Sequence, residues 1–247
     1  MRDIEDYTQK YVGANFERYQ AKYRRKKVLE ILEQYKPTSV LEIGCGTEPL
    51  FSYADWDYQS WTIVEPSSAF YDNAKKLVER KKKSNHIFLY NELFPTESVK
   101  NRYFDFIICS SLLHEVEDSE AFLKEIKDIC RTDTILYINV PNANSLHRII
   151  AKGMKLVDDV HEFSDRNKEL QQHKVFDEEL LKKEIEDAGF FVFDSGSFFL
   201  KPFTHLQMYK MIENNIIGED VLDGLYNIPG GYGSEIYVNA RLAQERK

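Results

Sequence analysis

The sequence predicts an α/β fold, a mostly parallel sheet with helices on both faces. Three observations carry this. Apolar runs of strand length alternate with helix-period segments between residues 16 and 140, the rhythm of βαβ units. The first run, Ser39-Val40-Leu41-Glu42-Ile43, stops at Gly44-Cys45-Gly46, so a glycine turn follows a buried strand. The 247 residues, 43% hydrophobic and 13% aromatic, suffice for one sizeable domain with its own core.

The elements follow in order. Phe16, Tyr19, Tyr23, Val28, Ile31 and Leu32 recur at spacings of three and four, an amphipathic helix over 16–35 that Pro37 ends. The strand at 39–43 comes next. Trp61–Pro66 is a second strand and leads into a helix over Ser68–Lys81, with Ser67 or Ser68 as its N-cap. His86–Tyr90, Phe104–Ser110 and Thr134–Val140 are the third, fourth and fifth strands, with a helix over Ser119–Cys130 between the last two. Residues 142–177 break the rhythm. This stretch is polar, has no clear strand and reads as a cap over the active edge of the sheet. A helix over Asp177–Ala188, closed by Gly189, precedes two last strands, Phe190–Asp194 and Ser234–Ala240. Between these strands, 201–233 is a second excursion with one helix, His205–Asn214, and a flexible turn at 229–233. The whole chain, 1–247, reads as a single domain, with 1–35 as an N-terminal lid and first helix.

Composition narrows the function. A net charge of −8 argues against a nucleic-acid partner, because phosphate binding requires clustered Lys and Arg. The basic runs Tyr23–Lys27 and Arg80–Lys83 fall on helices and read as solvated faces. Three cysteines without paired spacing argue against a disulfide framework or a zinc site, and no metal site is apparent. The charged N-terminus has no apolar core of a signal peptide, and no apolar run approaches bilayer length. A cytoplasmic protein without membrane insertion is expected, monomeric or homodimeric.

In open parallel sheets, ligands bind beyond the carboxyl ends of the strands. Gly44 and Gly46 stand there and let a ligand approach the backbone. A dinucleotide fingerprint would continue to a third glycine, but that position is Pro49. Glu42 suits a ligand with a cationic amino-acid tail rather than a diphosphate. Glu65, nineteen residues after Gly46, ends the second strand where an acid can accept both hydroxyls of a ribose. Asn91 and Glu92, past the third strand, are in line to reach an adenine edge.

With these motifs in place, residues 38–140 resemble the core of the class I S-adenosylmethionine-dependent methyltransferases. The matching features are Glu42-x-Gly44-x-Gly46, the acid ending strand two, the polar pair after strand three and Phe104-Asp105-x-Ile107-x-Cys109-Ser110. The resemblance implies a Rossmann-like seven-stranded sheet in the order 3-2-1-4-5-7-6, with strand 7 antiparallel. It implies S-adenosyl-L-methionine as cofactor and S-adenosyl-L-homocysteine as product. The cofactor contacts it implies are Tyr11, Glu42, Gly44, Cys45, Gly46, Glu65, Pro66, Asn91, Glu92, Ser110 and Ser111. Tyr7 and Tyr11 belong to a segment that folds over the cofactor in such proteins. Glu48 stands where many members have a further glycine, and Glu48-Pro49 is expected to start a helix.

His114, in the segment after strand four, is the candidate general base; the alternative is a histidine that only bonds its local helix. Asn142, Asn144, Arg148, His173, Lys201 and His205 are candidate acceptor contacts, with His161, Thr204 and Gln207 nearby. Together they point to a small polar acceptor with sugar or phosphate character. The segments 140–148 and 199–204 are similar to small-molecule methyltransferases of bacterial glycan and capsule clusters. They are more distantly similar to quinone-biosynthesis enzymes.

Overall fold

A computed structural model describes residues 3–12, 16–81 and 84–244. Two helices open the chain, α1 (Ile4–Val12) and α2 (Glu17–Tyr35). The alternating part follows as β1 (Ser39–Ile43), β2 (Ser60–Val64), α3 (Ser68–Glu79), β3 (Ile87–Tyr90) and α4 (Glu97–Lys100). It continues through β4 (Phe106–Ser110), α5 (Ser119–Asp128) and β5 (Ile135–Pro141). The first excursion holds α6 (Leu146–Gly153) and α7 (Asp165–Glu169), and α8 (Glu178–Asp187) leads into β6 (Phe190–Leu200). The second holds α9 (His205–Glu213) and α10 (Glu219–Asn227) before β7 (Gly233–Leu242).

The sheet order is β3-β2-β1-β4-β5-β7-β6, with β1 to β5 parallel and β7 antiparallel to both neighbours. This is the predicted Rossmann-like sheet. Side chains alternate across it, as a pleated strand requires. Val40, Trp61, Ile63 and Phe106 pack with Tyr23, Val28 and Leu32 of α2 in one apolar layer. Leu41, Ile107 and Leu136 pack with Leu123, Ile126 and Leu181 in the other. Glu42 therefore lies on the α2 side, beside Trp61.

Ser67 is the N-cap of α3, its Oγ accepting from Phe70 N at 3.4 Å. Gly189, at φ 92°, follows α8 as expected.

Several expectations need correction. Pro49 precedes only a 3-10 turn, Leu50–Ser52, because the Leu50 amide is drawn to the Glu42 carboxylate at 3.1 Å. β6 runs eleven residues, not five. The expected strand stops at Asp194, yet, past a bulge between Val192 and Asp194, pairing with β7 continues through Ser195-Gly196-Ser197. Gly196 fits there because the Tyr237 ring covers it: an added Cβ would stand 3.2 Å from Cε1. The second excursion has two helices, not one. α10 is held by Tyr226, whose ring stacks on Tyr23 at 5.4 Å and which donates to Glu30 at 2.7 Å. The run Tyr23–Lys27 is not a solvated face, since Tyr23 and Arg24 are buried. Arg80 is exposed, while Lys82 and Lys83 lie outside the described residues.

Two glycines give opposite tests of this packing. A Cβ at Gly233 would stand 2.4 Å from Phe198 O, whereas at Gly224, inside α10, it would meet nothing within 4 Å. Gly224→Ala should stabilise the fold by about 1 kcal/mol, the helix-propensity difference. Gly233→Ala should destabilise it by about 2 kcal/mol through overpacking. Urea unfolding of both variants checks the signs; a Gly233→Ala protein as stable as wild type would refute the β6–β7 contact.

Candidate active site

Three strand ends build the first cleft. Gly44 at φ 75° and Gly46 at φ 57° occupy the left-handed region that side chains rarely adopt. The loop they shape is fastened by Glu65. Its Oε2 accepts from Cys45 N at 2.9 Å and Gly46 N at 3.1 Å, while Oε1 accepts from Ser67 N at 2.8 Å. One carboxylate thus locks the ends of β1 and β2 together. Asn91 supports this loop from β3, donating to Glu65 O at 2.9 Å and Pro66 O at 3.2 Å.

The cleft is lined by Tyr7, Tyr11, Glu42, Gly44, Cys45, Gly46, Glu65, Pro66, Ser110 and Ser111, with Arg24, Arg25 and Glu48 among the remainder. α1 lies along it as a strap. Thr8 Oγ1 donates to Ser67 Oγ at 2.9 Å, and Asp3 N donates to Gln171 Oε1 at 2.8 Å beyond α7. The segment thus touches both the β2–α3 loop and the cap.

A second cavity of about 410 Å³ adjoins the first beneath α6, α7 and α9. Tyr11, Arg24, Ser111 and Glu115 line both, so the two spaces meet at these residues. His114, Asn142, His147, Arg148, Arg166, Lys201, His205 and Glu235 line the second cavity. His114 is buried, with Nε2 3.7 Å from Glu115 Oε1. Its carbonyl accepts from His173 N at 2.9 Å, so the segment after β4 and the cap hold each other. Asn142 Nδ2 donates to Gly233 O at 2.8 Å and Gly231 O at 3.1 Å, anchoring the 229–233 turn.

Nine of the eleven predicted cofactor contacts meet in the first cleft. Asn91 and Glu92 do not line it; Glu92 accepts from Ser98 Oγ at 2.9 Å and from Thr96, at the start of α4. Of the six acceptor candidates, Asn142, Arg148, Lys201 and His205 line the second cavity. Asn144 and His173 are exposed and do not. Nor does His161, whose ring nitrogens lie 3.0 Å from Asp159 Oδ1 and 3.1 Å from Asp177 Oδ2. Thr204 and Gln207 form the capping box of α9.

Sequence reasoning missed a polar stripe on α2. Glu17, Gln20 and Arg24 are all buried. Arg24 pairs with Glu17 and stands 3.5 Å from Glu235 Oε1, while Arg166 Nη2 reaches Glu17 Oε2 at 2.6 Å. Gln20 Nε2 donates to Glu235 Oε1 at 2.9 Å. The signal was the spacing of three, four and seven, which puts these residues on one helical face.

Burial governs the electrostatics. Glu42 is pushed up to about 8 by desolvation, against the opposing bonds from Leu50 N and Trp61 Nε1. Glu65 is also raised by burial. Burial raises all three thiols, so none is a ready nucleophile at neutral pH. Among the described residues no group of three or more His, Cys, Asp or Glu is placed to hold a metal. No helix among them is long and apolar enough to cross a membrane.

A carboxyl raised from 4.5 to about 8 favours the fold while protonated, and that contribution is lost as pH rises toward 8. Without ligand, wild type should therefore lose stability between pH 5 and 9 relative to Glu42→Gln. Thermal melts across that range test this; parallel curves would show that Glu42 titrates normally.

A family model described as a methyltransferase domain matches residues 16–194, well over half of the chain. The fold is also that of an S-adenosylmethionine-dependent methyltransferase from Clostridium acetobutylicum ATCC 824, at 14% identity and TM-score 0.56 over 90% of this chain and 92% of that one. The N-methyltransferase NodS from Bradyrhizobium japonicum WM9, solved with S-adenosyl-L-homocysteine, is similar at 12% identity and TM-score 0.54, over 93% and 88%. So is the cyclase SpnF, at 13% identity and TM-score 0.54 over 83% and 74%, and at such identities the likeness shows the fold alone. No curated protein matches the chain in sequence. The span of the family match and the cleft at the ends of β1, β2 and β4 agree: the chain belongs to the methyltransferase domain family.

Proposed function

We propose that the protein transfers a methyl group from S-adenosylmethionine, held in the first cleft, to an O or N nucleophile of a small polar molecule in the second. The observation that carries this reading is the shared wall of the two spaces at Tyr11, Arg24, Ser111 and Glu115. A donor and an acceptor placed on its two sides can meet there.

The first cleft suits this cofactor chemically. Glu42 is pushed up to about 8 and pairs with no cation among the described residues, and a cationic ligand beside it would restore its charge. S-adenosylmethionine supplies an electrophilic methyl group on a sulfonium. Glu42 faces its charged tail, and Glu65, with three amides already bound, keeps capacity for a ribose hydroxyl. Ser110 and Ser111 border the methionine end. Alignment of nucleophile and methyl is the main service of such a site. His114 is the group placed to take the proton of an attacking hydroxyl or amine.

The excursions at 142–177 and 201–233 form the acceptor walls, and Asn142, Arg148, Lys201 and His205 are the acceptor contacts. Their polarity favours a sugar or phosphorylated metabolite. A role in bacterial surface-glycan synthesis is the reading we favour, on the resemblance of 140–148 and 199–204 to glycan-cluster enzymes. A quinone precursor is the second reading, favoured by the apolar stretch of Ala151, Val157, Leu170, Val175 and Leu206 in the same wall.

Calorimetry with S-adenosylhomocysteine tests the cofactor reading: saturable one-to-one binding is expected, and none would end it. Removing residues 1–12 should weaken that binding about tenfold, since α1 brings Tyr7 and Tyr11 to the cleft; equal affinity would remove α1 from the site. In a methyl-transfer screen of sugar phosphates and quinone precursors read by mass spectrometry, His114→Ala should lower turnover about a hundredfold at unchanged cofactor affinity. Near-normal turnover would leave His114 a structural role.

A further inference from the structure

The second cavity holds a cation that the fold does not use. Lys201 is 4% exposed and lines the cavity, and its ammonium makes no hydrogen bond or ion pair among the described residues. The other charged groups of this wall are engaged. Glu17 is shared by Arg24 and Arg166. Glu235 is held by Gln20 Nε2, by Asn139 Nδ2 at 3.1 Å and by Arg24. Glu162 Oε1 accepts the amides of Asp158 and Asp159 at 2.8 and 2.7 Å. Arg148 donates to the carbonyls of Val160, at 2.6 Å, and of Glu162.

Among the described residues no carboxylate of this wall pairs with Lys201. Burial pulls the Lys201 ammonium down to about 7; Glu235 opposes this, and Arg166, Arg24 and Arg148 add to it. His147 and His205 line the same cavity, and burial and Lys201 keep both imidazoles neutral. Their Nδ1 atoms are buried without a hydrogen-bond partner. His205 and Leu206 are the first residues of α9, a nine-residue helix, and both line the cavity. The leading amides of a helix have no partner within it and carry its positive end. A buried lysine without an ion pair, two neutral histidines and the first residues of a helix thus border one space. Water or a hydroxyl would bond the ammonium but would leave its charge without a counter-ion in a low-dielectric wall.

We infer that the methyl acceptor carries an oxyanion, a carboxylate or a phosphate monoester, which seats on Lys201, His147 and His205 at the N-terminus of α9. This rests on the proposed use of the second cavity for the acceptor. The oxyanion fixes one end of the acceptor against this cluster, leaving its nucleophile free to face the junction at Ser111 and Glu115. A charge-assisted bond to a buried ammonium is roughly twice as strong as a neutral one, so Lys201 is the main anchor.

The test titrates the S-adenosylhomocysteine-saturated protein with inorganic phosphate and, separately, with malonate, chloride holding the ionic strength constant. One-to-one binding of at least one anion is expected, and the tighter of the two identifies the class. Lys201→Met should weaken it by about tenfold or more while leaving S-adenosylhomocysteine affinity unchanged. Should Lys201→Met lose its circular dichroism, Lys201→Gln and His205→Phe carry the same comparison. Absence of saturable binding of either anion to wild type, or equal affinity in the folded variants, would overturn the inference. If S-adenosylhomocysteine itself fails to bind, the proposed function falls, and the same anion titrations on the free protein still decide the lysine site.

Discussion

The buried guanidinium of Arg24 stands where the two spaces of the site meet, and much of the architecture serves to keep it there. A charge removed from water is costly unless it is paired and hydrogen-bonded. Here Glu17 lies two turns back on the same helix and Glu235 reaches across from β7. Through Glu235 the pairing extends to Asn139 on β5, whose Oδ1 accepts from Ser110 Oγ at 2.7 Å. Through Glu17 it extends to Arg166 of the cap. The helix before the sheet, the strands at its centre, the last strand and the cap are thus tied by one polar network. It runs beside the point at which donor and acceptor would meet.

The sheet supplies the rigid part of this arrangement. Parallel strands β1, β2 and β4 end on one edge, where the Gly44–Gly46 loop opens and Glu65 fastens it to the neighbouring strand. The parts that differ in chemistry are borne by the excursions and by α1. This is a common division in open α/β folds, with function on loops held by a stiff scaffold. It also explains why similar frames at 12–14% identity carry both methyltransferases and a cyclase.

The strands were legible because buried parallel strands are plain apolar runs; β1, β2, β4 and β5 are of that kind, and the edge strand β3 keeps an apolar run although Phe88 is exposed. Glu42 and Glu65 were legible by their distance from the glycines. Arg24 was not, because it lies in a run of basic residues, and both its partner Glu235 and Arg166, which shares Glu17 with it, are remote in sequence. The second half of β6 was hidden by Gly196 and the serines beside it; Gly196 suits the strand because the Tyr237 ring covers it. Asn91 and Glu92 were placed by strand position alone. Their side chains turn to the Glu65–Pro66 carbonyls and to the start of α4, a choice set by tertiary contacts.

In the proposed reaction the transferred methyl lies at the wall shared by the two cavities. A crystal structure with S-adenosylhomocysteine bound tests it most directly. The sulfur of the product should lie beside Tyr11, Ser111 and Glu115, facing the space lined by His114 and Lys201. A product whose sulfur is turned away from that space, or one lodged in the second cavity, would contradict it.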